Sequence, residues 1–318
     1  MRDLISITVP CFNEEEALPI FFEELEKERQ KLPCDSEVIL VDDGSKDRTP
    51  IVMQELAAKY LGVRFLILSR NFGKEGAMAA GLSEAKGDYA VVMDADLQHP
   101  PCYIGVMYDA IKNPENGKSI DSAAMYRTGR KGEKRIRSFF AKRMMKRFGK
   151  ISGIDIPPGA TDYRMVSRKM LDAYLKLGES NRFSKGLFDW IGFDTKWIPY
   201  ENVERVAGKT KWSFMGLAGY GLEAMLSFSD KPLKYAAVLG GISCTLAVIF
   251  AIYVIIKTLI WGDPVAGFPS LFCMILFLGG SILLFLGLIG RYVSKIYMET
   301  KRRPLFVVKE SGGGKKED

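Results

Sequence analysis

Two carboxylates and an amide close one of the chain's apolar runs, Val91-Val92-Met93-Asp94-Ala95-Asp96-Leu97-Gln98. A buried strand that stops at such a cluster delivers hard oxygen donors to the carboxyl edge of a sheet. Magnesium or manganese can hold a diphosphate there. Asp96 and Gln98 are the stronger metal-ligand candidates, while Asp94 and Ala95 sit at the strand end, where Asp94 can support a ribose or sugar. A short Asp-x-Asp is common, so its meaning depends on what surrounds it.

The elements that must position it are legible nearby. Leu4 to Val9, Glu37 to Val41, Arg64 to Leu68 and Tyr89 to Met93 are short apolar or β-branched runs, separated by helical stretches such as Glu14 to Leu32 and Thr49 to Lys59. This alternation predicts an α/β fold, a mostly parallel sheet flanked by helices, whose ligands sit beyond the carboxyl ends of the strands. Those ends carry Pro10 to Glu14, then Asp42-Asp43-Gly44-Ser45, then Ser69 to Gly76, then Asp94 to Gln98. Asp42 and Asp43 can accept from a nucleobase N–H or a ribose hydroxyl, and Asp47 can cap the following helix. Asn13 and Glu14, taken alone, read first as a helix start, an N-cap followed by an acidic first turn. Arg70 and Lys74, set among Gly73 and Gly76, suit a diphosphate or, taken alone, equally a solvated loop. His99, the chain's one histidine, follows Gln98, where a structural role is at least as good a reading as ligation.

Of the 318 residues, Tyr235 to Ile256 and Phe268 to Ile289 form two long, almost uncharged runs. Each has the length of a membrane-spanning helix and no polar face, which predicts a C-terminal two-helix transmembrane hairpin. Lys231 and Lys234 precede it and Arg291, Lys295, Lys301, Arg302 and Arg303 follow it, so both termini are expected in the cytoplasm of a multi-pass cell-membrane protein. Gly240, Gly241, Gly279 and Gly280 offer small-residue faces through which copies of the chain could pack as a homo-oligomer. Five scattered cysteines without metal spacing suit a reducing compartment.

The formal charge of +7 has a focus: Arg127 to Lys150 holds eleven Lys and Arg against the single acid Glu133. Ile136, Phe139, Phe140, Met144 and Phe148 recur at helical spacing, which predicts a basic amphipathic helix over about 133–150 for an anionic membrane surface or lipid phosphate. No nucleic-acid module is recognisable, so nucleic acid is not an expected partner. Ser213 to Ser229 is expected as an interfacial helix within a 213–234 juxtamembrane segment, and Ser311 to Asp318 as a disordered end to a basic tail, 291–318.

Together these residues carry a resemblance. Val9-Pro10-x-Phe12-Asn13-Glu14, Val41-Asp42-Asp43-Gly44-Ser45-x-Asp47-x-Thr49, Asn71-x-Gly73-Lys74 and Asp94-Ala95-Asp96-Leu97-Gln98-His99-Pro100 resemble the family 2 glycosyltransferases. Within them the chain is similar to the polyprenyl-phosphate type, the bactoprenol glucosyltransferases and dolichyl-phosphate mannose synthases. The resemblance implies a nucleotide-sugar transferase fold of the A type over residues 1–212, the two spans within 235–290, and metal-dependent, inverting transfer from a nucleoside-diphosphate sugar to a polyprenyl phosphate. It implies that Pro10, Asn13, Glu14 and Asp42 line the nucleoside pocket, joined by Asp43 and Lys74, and that Asp94, Asp96 and Gln98 surround the Mg2+ or Mn2+ and diphosphate. Arg127, Lys134 and Ser138 would hold the lipid phosphate, with Lys134 where an arginine is expected. Asp162, in Gly159-Ala160-Thr161-Asp162-Tyr163-Arg164, would orient the acceptor, while Arg205 and Lys211, in Arg205-x-x-Gly208-x-x-Lys211-Trp212, would clamp phosphates. The family weights the donor towards UDP-glucose and the acceptor towards undecaprenyl phosphate. A processive polysaccharide synthase shares two clusters but carries a Gln-x-x-Arg-Trp element not seen here. An inactive membrane-anchored nucleotide-binding scaffold should have lost the carboxylates that this chain keeps.

Overall fold

The computed structural model describes residues 2–114, 117–128, 156–180, 182–201, 231–261 and 267–314. Their contacts divide the chain into one unit of Met1–Phe214 with Pro304–Asp318 and a second of Met215–Arg303. The first is built on an eight-stranded sheet in the order β7-β5-β6-β4-β1-β2-β3-β8. Its strands are β1 (Leu4–Cys11), β2 (Asp35–Asp42), β3 (Val63–Leu68), β4 (Tyr89–Val92), β5 (Ser122–Arg127), β6 (Ala160–Ser167), β7 (Thr195–Tyr200) and β8 (Val308–Gly313). Helices α1 (Ala17–Arg29), α2 (Thr49–Lys59), α3 (Lys74–Ser83), α4 (Tyr103–Lys112), α5 (Arg168–Leu175) and α6 (Ser184–Trp190) accompany it.

The first four strands pair in parallel as their patterns predict. In β1, Ile5, Ser6, Ile7, Thr8 and Val9 are all buried, the signature of a strand covered on both faces. Register then fixes the functional edge: Cys11 lies beside Asp42, Asp42 beside Ile67, and Thr8 beside Val92. The polar clusters after β1, β2, β3 and β4 therefore open on one side of the sheet.

The expected α/β sheet is present, with its first four strands parallel, β6 antiparallel between β4 and β5, and β8 antiparallel on the edge of β3. Two features differ from the sequence expectation. Helix α1 begins at Ala17 rather than Glu14, because the Glu14 and Glu15 N–H groups are taken by Thr49 Oγ1 (2.8 Å) and Asp47 Oδ2 (3.2 Å) of the neighbouring loop. The stretch from Ser311, expected to be disordered, instead supplies the end of β8. Its glycines permit close approach: a Cβ on Gly312 would meet Phe65 Cζ at 2.7 Å, and one on Gly313 (φ +86) would meet the Val63 carbonyl at 2.5 Å. Glycine-rich composition reads as flexibility in a sequence, but here it is what fits the strand against β3.

The second unit contains α7 (Lys231–Trp261) and α8 (Phe268–Thr300). Phe277–Thr300 is the one stretch among the described residues long and apolar enough to cross a membrane, and Val238–Phe250 is apolar over a shorter length. Side chains such as Leu259 and Leu283 stand 81% and 71% exposed, which water alone disfavours. Among the described residues one candidate span is thus present, and the second of the expected pair is not shown. The expected helices over 133–150 and 213–229 lie outside the described residues.

Candidate active site

The loops after β1, β2 and β3 are held to one another by carboxylates and backbone. The Asn13 residue adopts a left-handed φ of 54°, donates its N–H to Ser45 Oγ (2.8 Å) and accepts from the Lys46 N–H at Oδ1 (2.9 Å). Asp42 accepts from the Ser45 N–H (3.1 Å) and closes its own turn, while Asp43 accepts from the Phe72 N–H (2.6 Å) and ties the β2 loop to the β3 loop. Both are almost fully buried, and that burial pushes their carboxyls above the usual aspartate range despite these bonds. Between them and the β3 loop, Gly44 (φ +69) leaves no room: a Cβ would lie 2.6 Å from the Arg70 carbonyl carbon. Gly44→Ala is therefore expected to cost about 1–3 kcal/mol of stability, seen as a lower melting temperature of the detergent-solubilised protein, together with weaker donor binding.

At the end of β4, the buried His99 ring accepts the Asp94 N–H at Nδ1 (2.9 Å) and stacks on Tyr163 at 5.0 Å. Tyr163 in turn donates to the Pro100 carbonyl (2.7 Å). Burial holds the imidazole down at about 4, so it is neutral at neutral pH and serves as an acceptor. His99 is thus placed structurally. Leu97 has φ 59°, and Asp96 Oδ1 accepts the Gln98 N–H (3.1 Å) across it, which folds the two ligand candidates into one turn. From β5, Arg127 donates to Gln98 Oε1 (3.3 Å) and to Tyr200 Oη (2.9 Å). The residue expected at the lipid phosphate is therefore joined to the Asp-x-Asp turn. A Cβ on Gly159 (φ +89) would meet the Arg127 carbonyl at 2.5 Å, so that glycine lets β6 pass close to this arginine.

Lys74, the first residue of α3, bridges two strands. Its Nζ lies 2.7 Å from Asp94 Oδ1 and 2.9 Å from Asp162 Oδ2, and the neighbouring Lys185 Nζ stands 3.7 Å from Asp162 Oδ1. Burial opposes ionisation of Asp162, yet Lys185 and Lys74 outweigh it and hold the carboxyl well below the usual range. Asp94 is lowered too, by Lys74 against its own desolvation, and the two carboxylates raise Lys74 above the ordinary lysine range against desolvation. Glu75, next to Lys74, accepts from the Ser184 N–H (3.1 Å) and from its hydroxyl. Lys185, Glu75 and Ser184 were not singled out in the sequence; a lysine in a short helix 23 residues after Asp162 carries no local signal.

The described structure therefore brings together Asn13, Glu14, Asp42, Asp43, Lys74, Asp94, Ala95, Asp96, Gln98, Arg127 and Asp162 around one sheet edge, with Pro10 inside β1 opposite Val41. Lys134, Ser138, Arg205 and Lys211 lie outside the described residues. Among the described residues no three His, Cys, Asp or Glu side chains form a metal-binding group. The Asp96 carboxylate and Gln98 amide nevertheless fit a hard divalent cation, since magnesium commonly takes one or two carboxylates and fills its remaining sites with substrate phosphates and water.

A mixed sheet with flanking helices and an acidic turn at its carboxyl edge is a GT-A-like architecture. A family model, Glycosyl transferase family 2, matches residues 6–175. CsbB of Bacillus subtilis, named as a glycosyltransferase, is 42% identical over 98% of this chain and 92% of its own length. The SfII prophage-derived bactoprenol glucosyl transferase of Shigella flexneri is 37% identical over 98% of this chain and 99% of its own. The prophage bactoprenol glucosyl transferase homolog of Escherichia coli K12 is 36% identical over 96% and 98%. The chain belongs to glycosyl transferase family 2, and its full-length similarity is to members of the polyprenyl-phosphate type.

Proposed function

We propose that this glycosyltransferase moves a sugar, glucose from UDP-glucose as the first choice, onto undecaprenyl or another polyprenyl phosphate at the cytoplasmic face of the cell membrane. The observation that carries the reading is the ion cluster at Asp162. A carboxylate held ionised between Lys74 and Lys185 is a poor proton acceptor at neutral pH. The reaction that suits it is one whose nucleophile is already an anion, as a phosphate monoester is. An acceptor phosphate oxygen would attack the anomeric carbon, form the new C–O bond on the face opposite the leaving group, and expel the nucleoside diphosphate with the electron pair of the broken bond. Inversion follows from that geometry, and no proton needs to be removed.

Within this scheme Asp42, Asp43 and the Asn13-Glu14 loop shape the nucleoside end. Arg127, fixed between Gln98 and Tyr200, adds positive charge beside the diphosphate. Asp96 and Gln98 would hold Mg2+ or Mn2+, which supplies charge neutralisation for the leaving diphosphate. Lys74 and Asp162 keep the donor and acceptor sides at a fixed separation, and Arg205, Lys134, Ser138 and Lys211 are assigned to acceptor phosphate. The full-length similarity to bactoprenol glucosyl transferases supports lipid phosphate as acceptor and glucose as the sugar. The apolar stretch Phe277–Thr300 supports membrane attachment; the second span, the cytoplasmic termini and packing between copies through Gly240, Gly241, Gly279 and Gly280 belong to the same proposal.

The test is a transfer assay with membranes containing the protein, undecaprenyl phosphate and a panel of labelled nucleotide sugars. Label is expected in the organic phase from one donor, lost on adding a chelator and restored by Mg2+ or Mn2+. No label transferred from any donor would overturn the reading.

A further inference from the structure

Four side chains and two peptide links form a closed circuit around Asp162. Lys74 grips one carboxylate oxygen at 2.9 Å; Glu75 follows it in the chain and binds the N–H and hydroxyl of Ser184; Lys185 follows Ser184 and returns to the other Asp162 oxygen. The Glu75–Ser184 contact is the closing link, and Ser184 is further fixed by Tyr174 Oη at 2.8 Å. The two lysines in this circuit are unequal. Lys74 makes short hydrogen bonds to both Asp94 and Asp162, whereas Lys185 stands 3.7 Å from one oxygen, beyond hydrogen-bond range. Its ammonium thus keeps its three donors unspent among the described residues, on a side chain only 23% exposed.

We infer that Lys185 is a binding residue for the acceptor phosphate, held in place by the Glu75–Ser184 contact. A partly desolvated ammonium whose donors are unspent among the described residues is suited to a phosphate oxygen. Donor and acceptor both offer phosphate, but the position favours the acceptor. Lys74 pairs with both Asp94 and Asp162, whereas the ion pair of Lys185 is with the other oxygen of Asp162, so Lys185 belongs to the Asp162 end of the cluster rather than to the Asp94 end. Asp162 then acts as the holder of two cations, one for each substrate. The inference rests on the reading of a phosphate monoester acceptor.

Full-length protein in membranes is assayed with separate titrations of nucleotide sugar and polyprenyl phosphate. Lys185→Met is expected to raise the acceptor KM about 10- to 100-fold, as loss of one charge-assisted hydrogen bond would. The donor KM and kcat should stay within about threefold on the same scale. Lys185→Arg, which keeps the charge, should recover most of the acceptor affinity, and Glu75→Gln should raise the acceptor KM in the same direction by a smaller factor. Wild-type protein that moves no sugar onto polyprenyl phosphate overturns the acceptor reading itself. With active wild type, an unchanged acceptor KM in Lys185→Met overturns the Lys185 assignment alone. So does a uniform loss in every parameter that Lys185→Arg fails to rescue.

Discussion

Asp96→Asn is expected to fold as the wild type does and to lose transfer by about 10²- to 10³-fold or more in kcat, the range for removing one group that stabilises charge in a transition state. The variant is chosen because Asp96 does two things. Its Oδ1 accepts the Gln98 N–H at 3.1 Å across the left-handed Leu97, and in the proposed scheme its charge faces the leaving diphosphate. An asparagine keeps the acceptor oxygen and so keeps the turn, but it gives up the negative charge that would bind a divalent ion. Asp96→Ala removes both and should be at least as inactive, with a lower melting temperature as well. Initial rates over a Mn2+ titration, read beside thermal unfolding, separate the two contributions. If Asp96→Asn keeps near-wild-type activity while Asp96→Ala does not, the residue is a turn lock and the metal assignment is lost.

The second large effect is at Lys74. Lys74→Met leaves Asp94 and Asp162 facing each other without the ammonium that lies 2.7 Å and 2.9 Å from them. With its side chain 42% exposed, water can relieve much of that repulsion, so the stability loss is expected to be only about 1 kcal/mol or less. Activity is another matter, because in the proposed scheme the lysine sets the separation of the donor and acceptor sides; kcat/KM should fall about 10²-fold or more. The decisive measurement is a double-mutant cycle with Asp162→Asn. Two residues in one ion cluster should couple by about 1–3 kcal/mol, so the double variant should be much less impaired than the product of the single effects. Additive losses would show that Lys74 and Asp162 work independently and would remove the bridge from the mechanism.

The reach of the sequence differed between elements for identifiable reasons. The first four strands are legible because each is a short buried run, and parallel pairing followed from the alternating helices between them. The Asp-x-Asp turn is legible because its residues are consecutive. Composition misled at the C-terminus, where glycines that allow β8 to lie on Phe65 and Val63 look like a flexible tail. At the β2 end residue type indicates nucleoside contacts for Asp42 and Asp43, and the structure adds what no residue type encodes, that the same carboxylates hold the Ser45 and Phe72 N–H groups.

What the sequence determined by itself is therefore the local layer: strand ends, turn residues, apolar runs and the order of motifs that marks the family. These are set by interactions within a few residues, where side-chain type and spacing are enough. Only the tertiary structure decided that Lys74 meets Asp162 across 88 residues, that Glu75 holds Ser184 across 109, and that Arg127 reaches Gln98 rather than standing apart from it. Such contacts depend on which strand inserts beside which. The antiparallel placement of β6 between β4 and β5 brings Asp162 to the Asp94 edge, and no periodicity in either segment encodes that choice.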